Sequence, residues 1–509
     1  MSPLESFVTE YLAASAGAYF VRQYLVIFVL FVFGAILTDA LMSADVKWYH
    51  RALLAFPAGL SAFAVTAYII LVAGIPYGVA TVVTSVLIET AAAVYVSKEK
   101  YARFVNRQSL KHMLIATVVV LFAGAFATSA IVPVSISNDT MYYFKRYPDA
   151  IVYYGKLRAD YDFFLTDTGL GIVAVDTLPA LFGFGETFGI RELFHINFIA
   201  FFAMTVYERS KRYISKKGCI VAAVAVTAVL AVSTPFVILG HWALANMYFM
   251  ELFFIAAYTV MSDADEKMRI SSLMLVALAL FRMEGTLFVV WLIICMALYK
   301  DVGRHLAASA LAPMAVLFSA YSIKIFKQFF IFDNMYHFLS PLKAALIVAA
   351  IAGAAVFLGF VQKRLPKIVS DHLPALCLLA LLLGNAVLFA YKRDLYIGNL
   401  KAFYANLFRQ SGWGMLPYFV ITLTVMLFIE YMLIYKKTGR MIDAANDFNI
   451  TLLAGFVLMT IAASFGRGDV LAEAVGDSGN RVLLQIVPLV VLTYAELTIG
   501  LPERSQKNQ

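Results

Sequence analysis

The chain predicts an all-α, polytopic transmembrane bundle, and three observations predict it. The first is composition: of 509 residues, 62% are hydrophobic and only 14% are charged, and mean hydropathy is +0.82. Soluble domains carry about a quarter charged residues. The second is a recurrence of apolar runs of about 20 residues, each long enough to cross roughly 30 Å of hydrocarbon. The third is the concentration of Lys and Arg in alternate loops, the asymmetry that orients spans in a membrane.

Taken in order, the apolar runs fall at 24–41, 52–73, 77–97, 113–133, 192–207, 219–239 and 243–261. Residues 269–299 read as two short helices meeting at "RMEG". Further runs fall at 306–325, 342–361, 373–391, 415–435, 450–465 and 482–500. The total is about 13–15 spans. The opening "MSPLESFVTEYLAASAGAYFVRQY" has no basic n-region and carries Glu5 and Glu10. The expectation is no cleavable leader, with the first span as its own insertion signal. By segment, 1–112 is an N-terminal group of three spans, 113–500 a transmembrane catalytic module, and 501–509 a cytoplasmic tail.

The basic loops set the expected sides. "SKEKYARFVNRQSLK", "ERSKRYISKK", "QKRLPK", "YKKTGR" and the tail "ERSQKNQ" are placed in the cytoplasm. The loop 134–191, "DNMYHFLSP", "YKRDLYIGNLKAFYANLFRQSGWG" and "GRGDVLAEAVGDSGNR" then fall outside. The expected setting is a plasma (inner) membrane. The net charge of +8 is explained by these loops and does not point to nucleic acid. The three cysteines, Cys219, Cys295 and Cys377, lie in or beside apolar runs without CxxC spacing and read as small core residues.

Loop 134–191 is where charge gathers. Its stretch Ser137–Phe164 holds four acidic residues, four basic residues and six tyrosines. Its second half, "TDTGLGIVAVDTLPALFGFGETFG", is apolar enough for an interfacial amphipathic or re-entrant helix. No phosphate-binding glycine loop, HExxH, GxSxG or His/Cys cluster occurs in the chain. Any chemistry must therefore use carboxylates, Arg, Lys and aromatics.

Asp139 leads the acidic residues. It lies six residues past the run 113–133, in "PVSISNDTMYY", where a carboxylate held at the interface suits a general base. The alternative is an N-cap for the helix that follows. Asp160 and Asp162 flank a Tyr in "ADYDFF"; they either share a divalent cation or form a hydrated turn. Lys145, Arg146, Lys156 and Arg158 lie nearby, for phosphate or lipid headgroups. Arg282 and Glu284 sit between the two apolar halves at "RMEG", and Asp477, Asn480 and Arg481 stand at the mouth of the last span. Each set is either a ligand site or an ion pair or anchor at the interface. Glu89, Glu251 and Glu430 fall within spans. None has a basic partner within a helical turn, and they read as helix-contact residues.

The order of these pieces resembles the GT-C superfamily of integral-membrane glycosyltransferases. "SISNDTMYYFKRYPDA" is similar to that family's acidic outer loop after a span, which short interfacial helices follow. "VSTPFVILGHWALANMYFMELFFIAAY" resembles its Pro-containing span and luminal turn. "LALFRMEGTLFVVW" resembles its short helix pair with an Arg at the turn, and "DSGNRVLLQIVPLVVL" its closing segment. The resemblance covers about 113–500. Two features depart from the commonest pattern: three spans precede the acidic loop, and no large C-terminal soluble domain follows. No subfamily is identified.

The resemblance implies inverting transfer of a sugar from a polyprenyl-phosphate donor to a glycan, lipid or protein acceptor, as in building a cell-envelope polysaccharide. Physical sense supports such a donor, because a charged nucleotide sugar does not cross a bilayer. On this reading Asp139 deprotonates the acceptor hydroxyl. Arg481 or Arg282 holds the donor phosphate, with Arg481 slightly favoured and Arg146 and Arg158 as further cations. Tyr142, Tyr143, His241, Trp242, Glu284, Asp477 and Asn480 line the substrates. Membrane lipids are the other partners. No cofactor is expected beyond an optional divalent cation. The alternatives are a transporter or flippase for lipid-linked saccharides, marked by Glu89 and Glu251 at the midplane, and a polysaccharide polymerase or ligase. The short late outer loops count against the last.

Overall fold

A computed structural model describes residues 16–42, 46–104, 146–158, 169–183, 188–233, 236, 245–261, 268–282, 285–332, 340–409, 413–422, 424–425, 428–429, 444–465, 468–473 and 478–506. Among them the regular structure is helical throughout, and the chain is a polytopic helical membrane protein. Six helices are long and apolar enough to cross a bilayer, and six shorter apolar helices accompany them among the described residues. The expected span 113–133 lies outside the described residues. The helices cluster into two compact units. Met1–Phe198, His241–Val289 and His305–Val356 make one; Ile199–Gly240, Val290–Arg304 and Phe357–Gln509 make the other.

In the first unit, helices Ala16–Leu41 and Trp48–Ala73 cross with their backbones in contact. A Cβ on Gly34 would lie 1.8 Å from the Ala55 carbonyl oxygen, and one on Gly59 2.1 Å from that of Leu30. Small residues at such a crossing let dispersion contacts do what the hydrophobic effect cannot do inside lipid. Half-buried Asp39 and buried Arg51 close the pair at 2.7 Å. Lys324 caps the far end of the second helix, donating to the carbonyls of Leu71 at 2.7 Å and Val72 at 3.1 Å, where carbonyls lack intrahelical partners.

Helix Ala245–Met261 is the unit's centre, with every residue buried, Asn246, Glu251 and Thr259 included. Helix Met268–Phe281 packs against it, and the Ser271 hydroxyl donates to the Ala256 carbonyl at 3.0 Å. Helix Gly285–Tyr299 follows, so residues 269–299 do form two short helices meeting at "RMEG". The apolar half of loop 134–191 forms helices Leu170–Val175 and Leu178–Phe182. The first is not amphipathic: all six of its residues are buried, so it is packed inside protein instead of lying on a surface. The turn after Ala73 pins this region. The Tyr77 N–H donates to the Gly155 carbonyl at 2.7 Å, and its hydroxyl is bonded to that of Thr177 at 2.6 Å. Burial raises the Tyr77 phenol well above its ordinary pKa.

In the second unit, Trp291 lies over Gly455, where a Cβ would sit 2.2 Å from the indole. Its N–H donates to the Leu452 carbonyl at 3.2 Å. The closing segment is not one continuous span. Helix Ser478–Leu484 ends in a turn at Gln485 and Ile486, and a second helix runs Val487–Gln506. Pro488 explains the break. It has no N–H to donate and its ring would clash with the Leu484 carbonyl mid-helix, whereas the first turn of a new helix accepts it.

Candidate functional site

Besides the Asp39–Arg51 pair, the first unit holds charged side chains around helices Phe188–Ser210 and Ala245–Met261. On helix Phe188–Ser210, Arg191 and His195 lie one turn apart and share a face. Helix Ala245–Met261 presents Asn246, Tyr248 and Glu251. Arg191 Nη2 meets Asp176 Oδ2 at 2.7 Å, with the Asp176 side chain fully buried. The same guanidinium stands 5.1 Å from the centroid of the Tyr248 ring, within cation–π range. His195 Nδ1 meets Glu251 Oε1 at 2.5 Å. A carboxylate on Nδ1 favours the tautomer that carries its proton there and fixes the ring's orientation. Glu251 is 2% exposed and His195 24%, so the cluster opens at the histidine.

Arg282 belongs to the same unit. It ends helix Met268–Phe281, and its Nη1 donates to Asn246 Oδ1. Two loop glycines let the loop approach this turn. A Cβ on Gly169 would lie 2.8 Å from the Phe281 carbonyl oxygen and 3.0 Å from Arg282 Cα, and one on Gly171 2.8 Å from the Leu280 backbone. Gly169 also has φ +81°, a conformation that glycine adopts without strain. On the other side of the turn, a Cβ on Gly285 would lie 2.5 Å from the Phe249 ring. Loop helix, arginine turn and central helix are thus in direct contact.

Chemically, the Arg191 guanidinium and the His195 imidazole meet the Asp176 and Glu251 carboxylates, and the Arg282 guanidinium meets the Asn246 amide. Guanidinium offers bidentate hydrogen bonding to phosphate or carboxylate, and a histidine–carboxylate pair can take up or release a proton.

Of the residues expected from sequence, Arg282 lies in the same unit, bonded to Asn246 of the central helix. Arg158 stacks its guanidinium 4.1 Å from the Tyr154 ring centroid, and Arg146 is exposed at the start of helix Tyr147–Tyr154. Arg481 lies on helix Ser478–Leu484 of the second unit. Asp139, Tyr142, Tyr143, Asp160, Asp162, His241, Trp242, Glu284 and Asp477, and the side chain of Asn480, lie outside the described residues, as do Lys145 and Glu430.

Two glutamates read as isolated have partners on other helices. Glu251 has His195, and Glu89 accepts from the Thr66 hydroxyl. Sequence reasoning missed Asp176, Arg191 and His195. The signal was present: Asp176 is the single charge in "LGIVAVDTLPALFGF", and a charge in an apolar run needs a partner.

The chain matches no family model, no curated protein and no solved structure, and its site stands on its own chemistry.

Proposed function

We propose that this chain is an integral-membrane glycosyltransferase of GT-C type, working on the extracytoplasmic face of a plasma membrane. It moves a sugar from a polyprenyl-phosphate donor to a glycan, lipid or protein hydroxyl. Asp139 takes the hydroxyl proton as the oxygen attacks the anomeric carbon. The bond from that carbon to the phosphate oxygen breaks with inversion, and the lipid phosphate leaves with the electron pair. An arginine stabilises the charge that develops on it.

The observation that carries this reading is the contact between the loop and the arginine turn. The segment that holds Asp139 in sequence continues into helix Leu170–Val175, whose neighbouring glycines touch Leu280 and Arg282. A base and a phosphate-binding arginine must serve one substrate, and the packing of Gly169 and Gly171 on the arginine turn supports Arg282 in that role. It shifts the balance between the two rival arginines towards Arg282.

The test is sugar transfer by purified protein in lipid nanodiscs, with a panel of radiolabelled polyprenyl-phosphate sugars. Asp139→Asn keeps shape and capping ability but loses the base, and turnover should fall about 10²-fold or more at unchanged expression. Arg282→Ala should cost roughly 2–4 kcal/mol of transition-state stabilisation. Full turnover in both variants would overturn the assignment.

A second reading, a carrier for lipid-linked saccharides, is favoured by one observation: Glu251, within an apolar helix, has the titratable partner His195. Movement of labelled donor across vesicles without sugar transfer, abolished by Glu251→Gln, would select it.

A further inference from the structure

Helix Arg393–Phe408 begins immediately beyond span Leu373–Tyr391, after a single non-helical residue, Lys392, at φ −141° and ψ 73°. It is held along one face, and at its C-terminal end by Tyr418, whose hydroxyl donates to the Phe408 carbonyl at 3.2 Å and whose ring meets that of Phe408 edge-on at 5.3 Å. Asn399 Nδ2 donates to the Ser464 hydroxyl at 3.0 Å, and Asn399 Oδ1 accepts from the Leu471 N–H at 2.9 Å. Asn406 Nδ2 donates to the Ala472 carbonyl at 3.0 Å. Ala402 and Phe403 close a small apolar core with Leu471. Ser464 ends helix Ala444–Ser464 and Tyr391 ends its own span, so the helix lies where two apolar helices stop.

The opposite face is open and has a distinct chemistry. Arg393, Leu400 and Tyr404 recur along it at helical spacing, with Lys401 beside them. Leu400 is 39% exposed and Tyr404 53%; Lys392, Arg393, Lys401 and Arg409 are all exposed. Three of these cations lie along aromatic rings: Lys392 at 5.9 Å from Tyr391, Arg393 at 5.9 Å from Phe389 and Arg409 at 5.5 Å from Tyr404. Asp394 is on the same helix, and Asp469 and Glu473 are on the facing segment. None of the three forms an ion pair with the four cations among the described contacts.

We propose that this face is a binding surface for anionic phospholipid. Leu400 and Tyr404 enter the boundary between headgroups and acyl chains, and the cations hold headgroup phosphates. Side chains with an apolar body and a charged or polar tip settle at this boundary, body in the acyl region and tip among the headgroups, and a neutral lipid would leave the four cations without their counter-charge. Charge asymmetry puts this helix on the side where Lys and Arg are ordinarily scarce, so four of them in one short segment call for a ligand. The proposal is independent of the reaction proposed above.

The test uses full-length protein in phosphatidylcholine nanodiscs doped with spin-labelled phosphatidylglycerol or spin-labelled phosphatidylcholine. The immobilised fraction of each label gives their relative association. The wild type should favour phosphatidylglycerol by about threefold or more, and the preference should weaken as NaCl rises from about 0.05 to 0.5 M. The combined variant K392Q/R393Q/K401Q/R409Q should lose the preference. A control lacking Arg212, Lys216 and Lys217 should keep it.

Four results would overturn the proposal: no preference in the wild type, a preference insensitive to salt, equal loss in the control, or full retention in the combined variant. Displacement by millimolar inorganic phosphate would assign the face to a soluble anion instead. The wild-type salt series reads the proposal even if the combined variant fails to fold.

Discussion

Both units fasten a non-spanning helix to the ends of spans, and they use opposite chemistries. The first unit fastens its loop with buried charge: Arg191 on Asp176, beside His195 on Glu251. The second fastens helix Arg393–Phe408 with neutral amides, Asn399 and Asn406, that bond a hydroxyl and backbone groups. Asn385 repeats the device, donating to the Leu458 carbonyl at 3.1 Å and accepting from Tyr396 at 3.1 Å. Amides fix position and never change charge. Paired charges fix position too, but removal of either partner leaves the other expensive, and each keeps the capacity to exchange protons or bind an anion. The unit with the charged fastening is the one that carries the proposed chemistry.

The largest break in this comparison should come from Arg191→Ala. It leaves the Asp176 carboxylate buried and without its cation, a loss of about 3–5 kcal/mol. Thermal unfolding in detergent, followed by fluorescence-detected size exclusion, should show a large fall in midpoint. The double variant R191A/D176A should recover part of it, and an unchanged midpoint in the single variant would remove the charged fastening from the argument.

Asn399→Ala should cost less, about 1–3 kcal/mol, by stranding the Leu471 N–H and removing the bond donated to the Ser464 hydroxyl. Its effect should be the same at pH 6 and pH 8, because no titrating group is touched. A pH-dependent loss would erase the contrast between the units.

Tyr77→Phe should be smallest, about 1 kcal/mol, since it removes one hydroxyl bond to Thr177 and keeps the packed ring. Protease sensitivity of the 134–191 loop is a suitable readout for so small a change. A larger loss than from Arg191→Ala would show that the turn, and not the ion pair, holds the loop.

Much of the fold was legible because hydrocarbon imposes a strict length and composition on a span. The boundaries 373–391 coincide with helix Leu373–Tyr391. The interruption at Arg282 was legible because charge inside an apolar run marks a break. The partnerships were not. Glu251 and His195 are 56 positions apart, and no periodicity on one helix reveals a contact made by another. The apolar character of "LGIVAV" was plain, but whether it faced lipid or protein depended on neighbours from elsewhere in the chain. The break before Pro488 was half legible: proline announced that a continuous helix would be strained, yet hydropathy alone read straight through it.

The crossing of Gly34 and Gly59 has a consequence for biosynthesis. The two helices are consecutive, and their backbone contact needs nothing made later. It can form as soon as both have left the ribosome, so the pair enters the bilayer as one hairpin. A side chain added at either glycine therefore acts before a native protein exists. The damage should appear as missing protein in the membrane, cleared by quality control.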